Sequence, residues 1–306
     1  MRILLTGADG FIGKELSKNF NIYRRVVRTK VDLTKKDTFF VDSIDERTCW
    51  NGAFDNISSV VHLAGLAHSS SYSESEYNSV NTEGTLRLAS KAAEAGVKRF
   101  VFVSSIGING RSSYNRSFSP NDEAKPHNSY TLSKYEAELG LLSISQNTGL
   151  EIVIVRPTLV YGATAPGNFG MLTNLVSKSL FLPFGLANNR RDFIAVQNLA
   201  DLLVTCVTHP DASGHIFLAS DGETVSIKQF TNAIADGLGK KVIQLPVPIS
   251  LIRLVGRLTG RSNMIEQLYG NLEVDSSSIK EVLGWTPPLT MNQAMATLRN
   301  SGANTK

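Results

Sequence analysis

Cysteine is nearly absent: Cys49 and Cys206 are the only two in 306 residues, and neither stands in CxxC or Cys/His spacing. A disulfide-stapled scaffold and a zinc knuckle are excluded, a reducing compartment fits, and no metal site is expected. Also missing is any apolar run near the 18 or so residues that a membrane span requires. The longest bursts, such as Glu151-Ile152-Val153-Ile154-Val155, end at charge or proline. Only three apolar residues, Ile3, Leu4 and Leu5, lie between Met1-Arg2 and Thr6-Gly7, too few for a signal-peptide core, so a cytoplasmic location is the expectation. No block of like charge stands out, since 31 Lys+Arg face 27 Asp+Glu and the net +4 is spread along the chain. Nucleic acid is not the expected partner, while a small anionic ligand remains open. The absence of a fixed-period repeat removes solenoids and propellers.

What is present suffices for a large core, with 42% hydrophobic and 19% charged residues. Short β-branched runs at 2–6, 25–28, 58–63, 99–104 and 151–155 alternate with helical spacing over 11–20, 76–95 and 129–147. Strands apolar on consecutive positions and separated by helices predict a parallel sheet covered on both faces, hence a doubly wound, Rossmann-like α/β fold. Beyond Arg156-Pro157 the pattern loosens, and the Pro/Gly punctuation of 162–189 marks chain that leaves the main sheet. The expected division is a nucleotide-binding body of 1–165 plus about 190–223, with a smaller substrate-binding domain from about 166–189 and 224–306.

Three motifs carry chemistry. Thr6-Gly7-Ala8-Asp9-Gly10-Phe11-Ile12-Gly13 follows the first strand and opens the first helix. Glycines so placed permit a tight turn and close approach of a pyrophosphate to free helix N-terminal amides. The second strand ends Val26-Val27-Arg28-Thr29-Lys30, where Arg28, helped by Lys30, suits a 2′-phosphate and favours NADP(H). NAD(H) stays open, since Asp32 lies about the right distance past the glycines to accept ribose hydroxyls. Tyr130 and Lys134 stand four apart on one helical face, where a lysine cation would lower a phenol into the range of a general acid/base. Ser104-Ser105 ends the strand between them and the glycine turn, at the sheet edge where open α/β folds bind ligands.

The TGxxGFIG turn with YxxxK resembles the extended short-chain dehydrogenase/reductase family. Arg156-Pro157-Thr158-Leu159-Val160-Tyr161-Gly162, Arg191-Asp192-Phe193-Ile194-Ala195-Val196 and Leu283-Gly284-Trp285 extend the resemblance over nearly the whole chain. It is similar above all to the branch modifying nucleotide-diphosphate sugars, among UDP-glucose 4-epimerase-like and 4-keto-sugar reductase members of bacterial polysaccharide clusters. The resemblance implies that Ser43 and Ile44 touch adenine, although Ser43 occupies a usually acidic slot, and that Leu63-Ala64-Gly65 lines the cofactor. It places Ser105 in the catalytic hydroxyl slot, counting back from Asn109-Gly110 where the family has Tyr-Gly, and gives Asn81 the task of bracing the site. Asn168 and Arg191 would contact the substrate diphosphate. Hydride would pass between the nicotinamide and C4 of a UDP-hexose or UDP-N-acetylhexosamine, with Tyr130 moving the O4 proton, Lys134 tuning it and Ser105 holding the oxygen. The absent strand-end acid favours a 4-keto reductase, with a 4-epimerase as the alternative. A dehydratase would need an acidic pair where Ile106-Gly107 stands, and a non-catalytic NADP-sensing relative would be expected to lack Tyr130 or Lys134. A homodimer through the helices over 76–95 and 129–147 is also implied.

Overall fold

The computed structural model describes residues 2–20, 22–28, 37–67, 71–114, 116–260 and 262–301. The chain begins β1 (Ile3–Thr6), α1 (Phe11–Asn19), β2 (Arg24–Val27), β3 (Thr38–Phe40) and β4 (Ser59–His62). Next come α2 (Glu74–Tyr77), a π-helical segment Asn78–Glu83, α3 (Gly84–Glu94), β5 (Arg99–Val103), a 3-10 turn Ile106–Ile108, α4 (Ser129–Thr148) and β6 (Glu151–Pro157). After these follow β7 (Leu159–Tyr161), α5 (Gly167–Lys178), β8 (Phe181–Leu182), β9 (Phe193–Ala195), α6 (Val196–Thr208) and β10 (Ile216–Ala219). The remainder is α7 (Ile227–Gly237), β11 (Ile243–Gln244), α8 (Ile249–Leu258), α9 (Ser262–Tyr269), α10 (Ser277–Leu283) and α11 (Met291–Ala296).

Seven parallel strands form the main sheet in the order β10-β6-β5-β4-β1-β2-β3. The chain runs outward from β1 through β2 and β3, then crosses to β4 on the other side, so the switch point lies above β1 and β4. Consecutive residues of the central strands face opposite layers, and both are apolar. Val61, Val101 and Val153 meet Leu199, Leu202 and Leu203 of α6 on one side. Val60, Phe100 and Ile152 meet Leu88 of α3 and Ala137 and Leu141 of α4 on the other.

A second core, around Tyr161, Phe169, Phe193 and Phe230, lies among β7, β9, α5, α7 and α11, with Phe193 and Phe230 stacked at 3.7 Å. Ile279, Leu283 and Trp285 pack with the sheet body instead, and Trp285 Nε1 donates to Asp201 at 2.7 Å. β3 and β10 have no counterpart among the predicted strands; both are short and lie at the sheet's two edges, where one neighbour suffices and the sequence signal is weak. The helix predicted over 76–95 is broken by the π-helical segment, a correction that matters because Asn81 lies in it.

Candidate active site

The glycine turn is tight for steric reasons. Gly7 has φ +69°, and a Cβ there would lie 2.8 Å from the amide nitrogen of Ala64. A Cβ on Gly13 would press into the Gly7 carbonyl and come within 2.8 Å of Ala8 Cα, so α1 seats directly on the turn. Gly10 caps α1 in extended conformation and offers no side chain to its first amides. Those amides remain oriented toward an incoming anion. A dinucleotide diphosphate fits this cradle, with Phe11 and Ile12 continuing into the helix. Leu63, Ala64 and Gly65 form the adjoining wall at the end of β4. Arg28 is exposed just past β2, which pairs with β1 so that Thr6 faces Val26, on the same sheet edge. Lys30 and Asp32 lie outside the described residues. Ile44 is buried, its carbonyl 2.7 Å from where a Cβ on Gly84 would stand, while exposed Ser43 donates to the Asp45 carboxylate and helps lower its pKa.

Beneath the turn, Ala64 N donates to Thr6 Oγ1 (3.1 Å), Thr6 Oγ1 lies 2.7 Å from His62 Nδ1, and His62 Nε2 lies 2.9 Å from Thr85 Oγ1. A neutral imidazole with its proton on Nε2 satisfies this chain completely. Burial, with Lys134 nearby, pushes the His62 pKa from 6.5 down to about 3. Between those values the unfolded chain binds the extra proton, so this contribution to stability is whole above pH 6.5 and is lost as pH falls toward 3. Asp221, whose carboxyl burial raises to about 6, has the opposite sign: its contribution is lost as pH rises from 3.8 through 6. The wild type should therefore lose about 2 kcal/mol more stability than His62→Gln between pH 6.5 and 5. Denaturant titrations of both proteins check this, and parallel pH slopes would refute it.

Asn81 is 1% exposed. Its Oδ1 accepts from Leu66 N at 2.8 Å, and its Nδ2 donates to Leu66 O at 3.2 Å and Ser133 Oγ at 3.1 Å. Asn81 thus pins the strand-end loop to α4. Lys134 comes to the same loop: its Nζ would lie 3.7 Å from a Cβ on Gly65, and it sits 4.2 Å over the Phe102 ring. Burial lowers its pKa from 10.5 to about 8, with Glu138 pulling upward, so it stays mostly charged at neutral pH.

One turn earlier on α4, Tyr130 is hydrogen-bonded to Ser105 and packed edge-on against Tyr77, 6.0 Å between ring centroids. Burial raises the Tyr130 pKa, against the Ser105 hydrogen bond. This corrects the simple expectation of a phenol already lowered by its lysine neighbour. Ser105 Oγ accepts from Gly107 N at 3.1 Å, whereas the Ser104 hydroxyl is buried without a partner among the described residues. Ser105, not Ser104, therefore faces the phenol. A Cβ on Gly107 would stand 2.7 Å from Thr131 Cγ2 and 3.3 Å from Ser105 Oγ, so the backbone here lies close against both α4 and the Ser105 hydroxyl.

Ser105 and Tyr130 line the inner wall of a cavity of about 620 Å³, and Asn168 and Arg191 line it as well. Arg191 makes no ion pair with Asp192, which is held by Thr224 Oγ1 (2.6 Å) and Val274 N (2.7 Å). Its Nη1 donates to the carbonyls of Gln267 (2.7 Å) and Gly270 (2.9 Å), and burial lowers its pKa to about 10. Motif reading missed a buried chain behind the site. Arg156 donates to both Glu138 oxygens at 3.0 and 2.6 Å and to Asn109 Oδ1 at 2.9 Å. Asn109, in place of the family's Tyr, passes this on to Ser119 O at 3.0 Å. The available signal was spacing: Tyr130, Lys134 and Glu138 recur every four residues on α4.

The NAD dependent epimerase/dehydratase family model matches residues 3–220. Over 302 residues the chain is 41% identical to a UDP-glucose 4-epimerase of Vibrio cholerae, covering 95% of this chain and 92% of that protein. It is 23% identical over 320 positions to the N-acetyl-alpha-D-glucosaminyl-diphospho-ditrans,octacis-undecaprenol 4-epimerase of Escherichia coli O157:H7, covering 96% and 92%. The solved UDP-N-acetylglucosamine 4-epimerase from Bacillus cereus shares the fold at TM-score 0.79 and 18% identity, over 98% of both chains. The family model over residues 3–220 and the 41% identical relative agree, and the chain belongs to the NAD dependent epimerase/dehydratase family.

Proposed function

We propose that this enzyme interconverts the C4 epimers of a UDP-linked hexose or N-acetylhexosamine. The observation that carries this reading is the Ser105–Tyr130 hydrogen bond on the inner wall of the cavity, with Lys134 one turn along α4 and reaching the loop beside the glycine cradle. Similarity to the Vibrio cholerae 4-epimerase weighs in the same direction, and the reductase favoured on sequence grounds becomes the second reading. Gly7, Gly10, Phe11, Ile12 and Gly13 would hold the cofactor diphosphate, Ser43 and Ile44 its adenine, Arg28 its ribose, and Leu63, Ala64 and Gly65 its remaining length. Once bound, the nicotinamide supplies removal and return of hydride at C4.

Tyr130 takes the O4 proton and gives it back, and Ser105 holds the same oxygen. Lys134, mostly charged at neutral pH, brings positive charge to the loop beside the glycine cradle, and the Ser105 hydrogen bond opposes the effect of burial on the phenol. Asn81 keeps the strand-end loop in place through α4. Asn168 and Arg191 hold the substrate diphosphate, with the residues of 166–189 and 224–306 enclosing the sugar end and those of 1–165 with about 190–223 the cofactor. A homodimer through α3 and α4 fits Leu132 and Leu139, which are exposed seven residues apart on α4.

The deciding experiment incubates the protein with UDP-glucose or UDP-N-acetylglucosamine and follows the galacto products. Epimerisation without net cofactor consumption is expected. Arg28 at the β2 end favours NADPH and the second reading. Stoichiometric NADPH oxidation by a UDP-4-keto sugar, with no epimerisation, would establish that reading instead.

A further inference from the structure

On α8, Leu251, Leu254, Val255 and Leu258 follow i, i+3, i+4, i+7 spacing and share one helix face. They are 51, 51, 50 and 79% exposed. Another side of the helix packs on α9, where Gly256 lies against Ile265 and Arg253 pairs with Glu266 at 2.8 Å. The stripe is therefore not the face that holds the helix in place. Neighbouring β8 and β11 expose Phe181 and Ile243 at 54 and 49%. Met171 and Leu175, on the cavity lining, are exposed as well.

Charge in this region is basic on balance. Within 163–191 and 237–260 there is no Asp or Glu. Arg190 and Arg253 are paired with Glu273 and Glu266, while Lys178, Lys240, Lys241 and Arg257 have no carboxylate partner among the described residues. Exposed apolar residues on an amphipathic helix, set in basic surroundings, form the physical signature of an interfacial helix at an anionic membrane. Among the described residues no helix is long and apolar enough to cross a membrane, so the attachment is peripheral. A second copy of this chain is a poorer occupant, because a two-fold contact would set the same basic residues against themselves.

We propose that this face docks on an anionic phospholipid bilayer, with the α8 stripe at the headgroup boundary and the cavity mouth held near the membrane surface. The inference goes beyond the assigned chemistry and does not depend on which sugar is turned over.

Full-length protein is sedimented with phosphatidylglycerol or phosphatidylcholine vesicles at physiological and high salt. At physiological salt, phosphatidylglycerol should retain about ten-fold more protein than phosphatidylcholine, and high salt should erase the difference. Leu254→Glu/Leu258→Glu should lower retention by about ten-fold or more, and Arg257→Gln by about five-fold, with thermal midpoint unchanged. Equal pelleting with both vesicles, no pelleting, or binding that survives the double variant would overturn the proposal. So would a self-assembly of the wild type that the double variant dissolves, since a second copy would then cover the face.

Discussion

Replacing Tyr130 with Phe should lower kcat by about 10²–10⁴-fold and leave cofactor binding nearly unchanged. The phenol oxygen is the hydrogen-bonding partner of Ser105 at the cavity wall, so removing it deletes the acid/base group and little else. Its ring still packs edge-on against Tyr77, and Asn81 still holds the loop beside the glycine turn. Cofactor titration by fluorescence quenching and steady-state rates on the accepted UDP-sugar separate the two effects. More than a trace of wild-type turnover would remove Tyr130 from the proposed role. Weakened cofactor binding would make it a positioning residue.

Breaking the buried Glu138–Arg156 pair should have the largest effect on stability. The two side chains are 2% and 4% exposed, and their contact is bidentate. Glu138→Gln leaves the guanidinium buried with its charge uncompensated, a loss of about 3–5 kcal/mol and on the order of 10 °C in Tm. A second readout follows from Lys134, four residues away, whose pKa Glu138 raises against burial. Without that carboxylate the Lys134 pKa falls below about 8, so the alkaline limb of the rate profile should move to lower pH. Calorimetry and a pH profile of the same variant test both effects. An unchanged Tm would show that the pair is dispensable, and an unchanged alkaline limb would show that Lys134 does not depend on Glu138.

The glycine turn, the Tyr130/Lys134 spacing and the parallel sheet were legible in the chain because each rests on short-range repetition. Consecutive apolar residues mark strands buried on both faces, and a separation of four puts two side chains on one helical face. Ser105 could be chosen over Ser104 only by resemblance, whereas the structure separates them by direction: one hydroxyl meets Tyr130 and the other lies buried. The predicted helix over 76–95 missed the π-helical segment, because one widened turn leaves almost no trace in apolar periodicity.

Local pattern was therefore enough for the fold class and for the family's glycine and YxxxK signatures. Asn81 spanning to Leu66 and Ser133, Thr6 reaching His62, and Arg156 joining Glu138 to Asn109 needed the assembled fold. These partners are 15 to 56 residues apart, and a polar residue carries no mark of its distant partner. Only burial, which makes an unpaired polar group costly, compels such groups to find one another.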